Sequence, residues 1–222
     1  MISSSTELFL KLKSLGYDNS SRDPWWWPQS GRFEVVLTAI LTQNTSWNNV
    51  EKALANLESS SLVTLDALAN SDIEVLQELI RPSGFYKAKS KNILQLSKNI
   101  VESCGTFEAF QELVIREWLL EQRGIGPESA DAILNYACYK EAFVVDSYTN
   151  RLLFAFGYSF ESYDALQEWI VEDFYSGYEE LFPNLSRAQA YARAHGMVVE
   201  YCKVNKRGKE IDITMLRETE KG

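Results

Sequence analysis

Two helical runs of this chain meet at a tight glycine turn, and an acid follows at a fixed distance. The stretch Leu119 to Arg151 reads LLEQRGIGPESADAILNYACYKEAFVVDSYTNR. An apolar helical run ends at Gly124-Ile125-Gly126, and Ser129, Ala130, Ile133 and Leu134 open the next helix at once. The apolar segment Ala142 to Val145 then delivers Asp146. The pattern predicts a helix-hairpin-helix over about residues 115–139, whose amides grip a DNA phosphate beside a catalytic carboxylate. A Gly-x-Gly turn with a later acid also occurs in dinucleotide-binding folds, but there a buried strand must come first. The preceding REWLLEQR has no β-branched run, and Ser129 stands where that pattern wants glycine or alanine. A purely structural helical turn is the other competing reading.

The remaining patterns are helical as well. With 222 residues, 45% of them apolar, the chain can bury a sizeable core. Residues 4–16 carry Leu8, Leu12 and Leu15 on one face and stop at Gly16. Pro24 and Pro28 enclose Trp25, Trp26 and Trp27, which predicts a stiff, extended aromatic platform: a core plug or one wall of a pocket for a planar ring. Gly31 to Gln43 reads as a helix with one buried face, ending in the elbow Leu41-Thr42-Gln43-Asn44-Thr45. Asn44, Thr45 or Ser46 would cap the helix that starts near Trp47, and Gln43 and Asn44 would lie at the surface.

Two short helices are expected over 64–80, capped by Thr64 and Ser71, then helices over 85–102 and 106–122. Later helices are expected over 147–157, 163–175 and 186–202, with a frayed polar tail over 205–222. The lysines Lys87, Lys89, Lys91 and Lys98 read as a solvated face. These patterns predict an all-α protein of two helical lobes, one over 31–140 and the other built from 1–30 plus 141–222.

Charge and cysteines narrow the classes. A formal charge of −9 argues against a module held on DNA by phosphate attraction alone, though binding depends on the local field at one face. The N-terminus has no basic lead and the chain has no apolar run long enough for a membrane span, so a cytoplasmic, monomeric protein without membrane contact is expected. The three cysteines Cys104, Cys138 and Cys202 form neither a disulfide framework nor a metal pattern.

QRGIGPESADAILNYA, VVDSYTNRLL and the elbow LTQNT resemble the helix-hairpin-helix DNA glycosylases of the endonuclease III superfamily, over about residues 30–202. The resemblance implies an active site in the cleft between the lobes, with double-stranded DNA containing a damaged base as partner. Bifunctional members carry a hairpin lysine where this chain has Glu128, and a glutamate cannot form a Schiff base. Many members end in four cysteines holding an iron–sulfur cluster; the matching region keeps only Cys202, so no cluster is expected. These departures, with the tryptophans, resemble the clusterless 3-methyladenine DNA glycosylases.

The resemblance implies a monofunctional glycosylase of base excision repair that removes alkylated bases, 3-methyladenine first. Asp146 would be the catalytic carboxylate, with a helix N-cap as its ordinary alternative role. Trp25, Trp26, Pro28, Trp47 and Lys203 would form the base pocket, and a buried Lys203 would lose basicity. Gln43 would fill the hole left by the flipped base, helped by Asn44, while Gly124, Ile125, Gly126 and Ser129 would bind the DNA backbone. His195 reads as a packing or hydrogen-bonding residue rather than an acid. The resemblance also allows a monovalent cation on the hairpin carbonyls. A glycosylase for a mismatched or oxidised base, and a non-catalytic DNA-binding module, are the alternatives.

Overall fold

The structure is a computed structural model that describes residues 2–18 and 25–218; Pro24 and the last four residues of the tail lie outside the described residues. Helices dominate. They are α1 (Ser5–Ser14), α2 (Phe33–Leu41), α3 (Trp47–Ser59), α4 (Leu65–Ala69), α5 (Ile73–Leu79), α6 (Tyr86–Cys104), α7 (Phe107–Leu113) and α8 (Arg116–Leu120). Then come α9 (Pro127–Ala132), α10 (Ser147–Ala155), α11 (Tyr163–Leu181), α12 (Arg187–Asn205) and α13 (Thr214–Glu218). Short 3-10 and π-helical turns cover Arg81–Ser83 and Ile133–Ala137. The chain divides into two compact units, Met1–Trp27 with Lys140–Gly222, and Pro28–Tyr139.

The contiguous unit is built around α2, whose residues are all buried rather than confined to one face. Its neighbours are α3, α6 and the π-helical turn, while α4 and α5 lie on α6. Local signals set the helix ends. Thr64 caps α4, but Asp72 rather than Ser71 caps α5, its carboxylate accepting the amides of Glu74 and Val75 at 2.7 and 3.1 Å. Ser71 instead donates its hydroxyl to the Leu68 carbonyl and closes α4.

The other unit joins both chain ends. α1 packs on α11 and α12, and its start is held by Asp173, which accepts the Thr6 amide at 2.8 Å. Phe9, Phe143, Phe174 and Tyr191 form an aromatic cluster in its core. The tail does not fray as expected. Strands β1 (Lys206–Arg207) and β2 (Glu210–Ile211) pair antiparallel and α13 follows. Ile211, Ile213 and Leu216 are buried, and the Tyr201 hydroxyl donates to the Asp212 carbonyl at 2.6 Å. Those apolar anchors outweigh the polar composition of the segment. Leu216→Ala should therefore cost about 2–5 kcal/mol. Thermal unfolding is the check: a fall of at least about 5 °C is expected, whereas a frayed tail would leave the midpoint unchanged.

Candidate active site

Asp146 stands at the end of the buried segment Ala142–Val145 and is the N-cap of α10. Its Oδ1 accepts the Thr149 amide at 2.8 Å and the Thr149 hydroxyl at 2.9 Å. The cap thus occupies one oxygen. Oδ2 faces His195 Nε2 at 3.7 Å, beyond hydrogen-bond reach but close enough for charge to act, and the Asp146 side chain is 15% exposed. Burial alone would raise the carboxyl pKa, but His195 and the Thr149 donors outweigh it and hold the group below the usual carboxylate range. Asp146 is therefore ionised at neutral pH.

His195 is buried on α12 and meets the Trp26 indole edge-on, with ring centroids 5.3 Å apart. From sequence it is a packing or hydrogen-bonding residue; the fold sets it between Asp146 and an indole. Trp25–Trp27 is not the extended platform that its prolines suggested. Trp26 takes a left-handed backbone, φ +56°, and the chain turns there. Trp27 is buried edge-to-face against Trp26, while Trp25 and Trp26 are half-buried. The Trp26 ring lies over Gly196, where a Cβ would come within 2.5 Å of Trp26 Cγ. Its Nε1 donates to Glu200 Oε1 at 3.3 Å. Lys203 is not buried: its side chain is 45% exposed, its Nζ is 3.6 Å from Glu200 Oε1 and 5.7 Å from the Trp26 centroid. Asp146, His195, Trp26, Glu200 and Lys203 thus form one continuous series of neighbours. Sequence reasoning missed Glu200, since an acid one turn before a lysine on a helix reads as a surface pair.

In the contiguous unit, Pro28 is exposed and Trp47 is half-buried at the start of α3. The hairpin forms as the glycines require. Gly124 has φ +79°, and a Cβ there would strike Asn92 of α6 at 2.0 Å. Gly126 is the N-cap of α9 with Pro127 next, while Ile125 is buried beneath the turn. Glu128 is exposed. Ser129 is buried and its hydroxyl turns inward to the Ala39 carbonyl, so this side chain is not placed to meet DNA. Gln43 is half-buried rather than free: its amide donates to Gly124 O and Ser129 Oγ, each at 2.9 Å. Asn44, beside it, is exposed with φ +52°.

Two hairpin carbonyls are already used, Gly124 by Gln43 and Gln122 by the Ile125 amide. Each of these carbonyls accepts one hydrogen bond and keeps a second lone pair. Cys202 is sealed in the core, its thiol pushed up to about 12 by burial and then by the nearby Asp146 charge. No helix among the described residues is long and apolar enough to cross a membrane.

The profile of the HhH-GPD superfamily base excision DNA repair proteins matches residues 37–169. A Methanocaldococcus jannaschii protein named "Putative DNA repair glycosylase" is 41% identical over 185 residues, 80% of each chain. Endonuclease III of Thermotoga maritima is 30% identical over 148 residues, 64% of this chain and 66% of that one. Among solved structures, H. pylori 3-methyladenine DNA glycosylase (MagIII) bound to 1,N6-ethenoadenine is similar at TM-score 0.87 and 41% identity, over 92% of this chain and 100% of that one. An endonuclease III–DNA complex is similar at TM-score 0.69 and 16% identity, over 97% and 95%, a likeness of fold alone.

Proposed function

Because the chain belongs to the HhH-GPD superfamily of base excision DNA repair proteins, we propose that it is a monofunctional DNA glycosylase that hydrolyses the N-glycosidic bond of alkylated purines, 3-methyladenine first. The observation that carries this reading is the divided role of Asp146: one carboxylate oxygen caps α10 and the other faces the His195–Trp26 wall. The likeness to the H. pylori 3-methyladenine enzyme supports the substrate.

The chemistry asks little of the protein. N3-alkylation makes adenine cationic, so the departing base needs no proton. What remains is an oxocarbenium-like sugar and an incoming water. An ionised carboxylate stabilises the first by charge and orients the second by accepting its proton. An indole face attracts a cationic ring, worth about 0.5–2 kcal/mol. That selectivity is modest, so most discrimination falls to the weakened bond and to the easier flipping of a damaged base. In this reading Trp26 is the ring that meets the base, Trp25 and Lys203 of the same unit accompany it, and the Gly124–Gly126 turn meets the DNA backbone. Glu128 leaves no amine there for strand cleavage.

The test is a duplex oligonucleotide carrying one 3-methyladenine. Free base should appear, and the strand should stay intact until alkali opens the abasic site. Cleavage without alkali would refute the monofunctional assignment. Release of an oxidised or mismatched base in preference to the alkylated one would refute the substrate.

A further inference from the structure

Lys89 does not belong to the solvated face of α6. Lys87, Lys91 and Lys98 are exposed, but Lys89 is 3% exposed. A buried ammonium is costly unless its protons are used, and here all three have acceptors. Nζ donates to Leu41 O at 2.8 Å, to Thr45 Oγ1 at 2.8 Å and to Ser83 O at 2.9 Å. Burial pushes the amine down to about 8, which leaves it protonated at neutral pH.

The acceptors come from two separate stretches. Leu41 and Thr45 bracket the elbow after α2, and Ser83 ends the 3-10 turn before α6. The Thr45 hydroxyl also donates to the Ser83 carbonyl, so the two loops share one node. Just before Thr45 and two residues after Ser83 the backbone turns left-handed, at Asn44 (φ +52°) and Phe85 (φ +47°). Phe85 is 71% exposed, an unusual place for a large aromatic side chain on strained backbone. Strain of this kind persists where surrounding contacts over-determine it. Gln43 extends the same network to the hairpin through Gly124 O and Ser129 Oγ.

We propose that Lys89 is a positioning residue whose ammonium locks the elbow and the 81–85 turn into one face that presents Asn44 and Phe85 to duplex DNA. The proposal rests on the DNA-acting reading above and not on which base is removed. Lys89 touches no DNA itself; it acts through the two loops.

The experiment is a double-mutant cycle read by fluorescence anisotropy, with a labelled duplex carrying a tetrahydrofuran abasic analogue. Phe85→Ala removes an exposed ring and should weaken binding about tenfold, the scale of one lost base–aromatic stack. Lys89→Met should weaken it by a similar factor, because the ring is no longer held in place. The double variant should bind about as weakly as the weaker single one, since both changes remove the same interaction. A merely structural lysine would give losses that multiply to about a hundredfold, and that result would overturn the proposal. So would a folded Lys89→Met protein that binds like the parent. If Lys89→Met does not fold, Thr45→Val removes the shared node and runs the same cycle with Phe85→Ala. A parent protein that ignores the duplex would instead bring down the DNA-acting reading, and this proposal with it.

Discussion

Asp146→Asn should abolish base release while leaving the fold intact. Asparagine caps helices as well as aspartate does, and its side-chain oxygen can still accept the Thr149 amide. The cap on α10 survives, so the stability lost at neutral pH is only what the charge itself contributes. The charge does not survive. Loss of a preorganised electrostatic stabiliser costs about 10²–10³ in rate, and the loss of water activation adds to it. Single-turnover release of 3-methyladenine measures the rate, and anisotropy on the same duplex measures binding, which should be retained. Asp146→Ala then separates the two roles: it should be equally inactive and also lose about 0.5–2 kcal/mol with the cap. A group serving only as a cap would give an active Asn variant. The pH dependence follows from the same contacts. Burial raises the carboxyl pKa, but His195 and Thr149 bring the net shift down. The stability gained from the ionised form is therefore complete above about pH 4, the unfolded value, and is lost as pH falls through the lower folded value. Comparing parent and Asn variant by thermal unfolding, the stability contributed by the charge should be lost as pH falls below about 4.

How much of this was legible in the sequence depends on how far apart the cooperating residues lie. Helices, caps and the hairpin are local. Thr64, Thr106 and Ser186 each cap the helix that follows them, and the Gly124 turn is dictated by its own backbone. The place of Asp146 at the head of α10 is local too. His195 and Glu200 could not be assigned that way, because their contacts with Trp26 join segments near opposite ends of the chain. The exposure of Lys203 was also beyond local reading, since it depends on how α12 lies against the Trp26 turn. Lys89 is different. It falls in register with Ile93, Leu96 and Ile100, the buried stripe of α6, so helical spacing alone separates it from Lys87 and Lys91. The Trp25–Trp27 turn misled because flanking prolines favour extended backbone, whereas packing on Gly196 and His195 holds Trp26 left-handed.

Gly196→Ala should cost most of the base-release activity, although it removes a glycine from the middle of a helix. On propensity alone the change would stabilise α12 by about 1 kcal/mol. The added methyl would stand 2.5 Å from Trp26 Cγ and 2.7 Å from its Cδ1, inside any allowed contact. The atoms it strikes belong to a ring that is wedged against Trp27 and His195 and tied through Nε1 to Glu200, so the indole cannot swing away freely. Overpacking of that kind costs about 1–3 kcal/mol, so the clash cancels or exceeds the propensity gain. The net stability change should be small and destabilising, while the indole is displaced from the position in which the proposed function has it meet the base. Release of 3-methyladenine should fall at least about tenfold, the scale of losing one cation–π contact together with its alignment. Tryptophan fluorescence should shift with it, and binding to an undamaged duplex should hold. A variant that gains stability and keeps full activity would show that the Trp26–Gly196 contact has no part in holding the base.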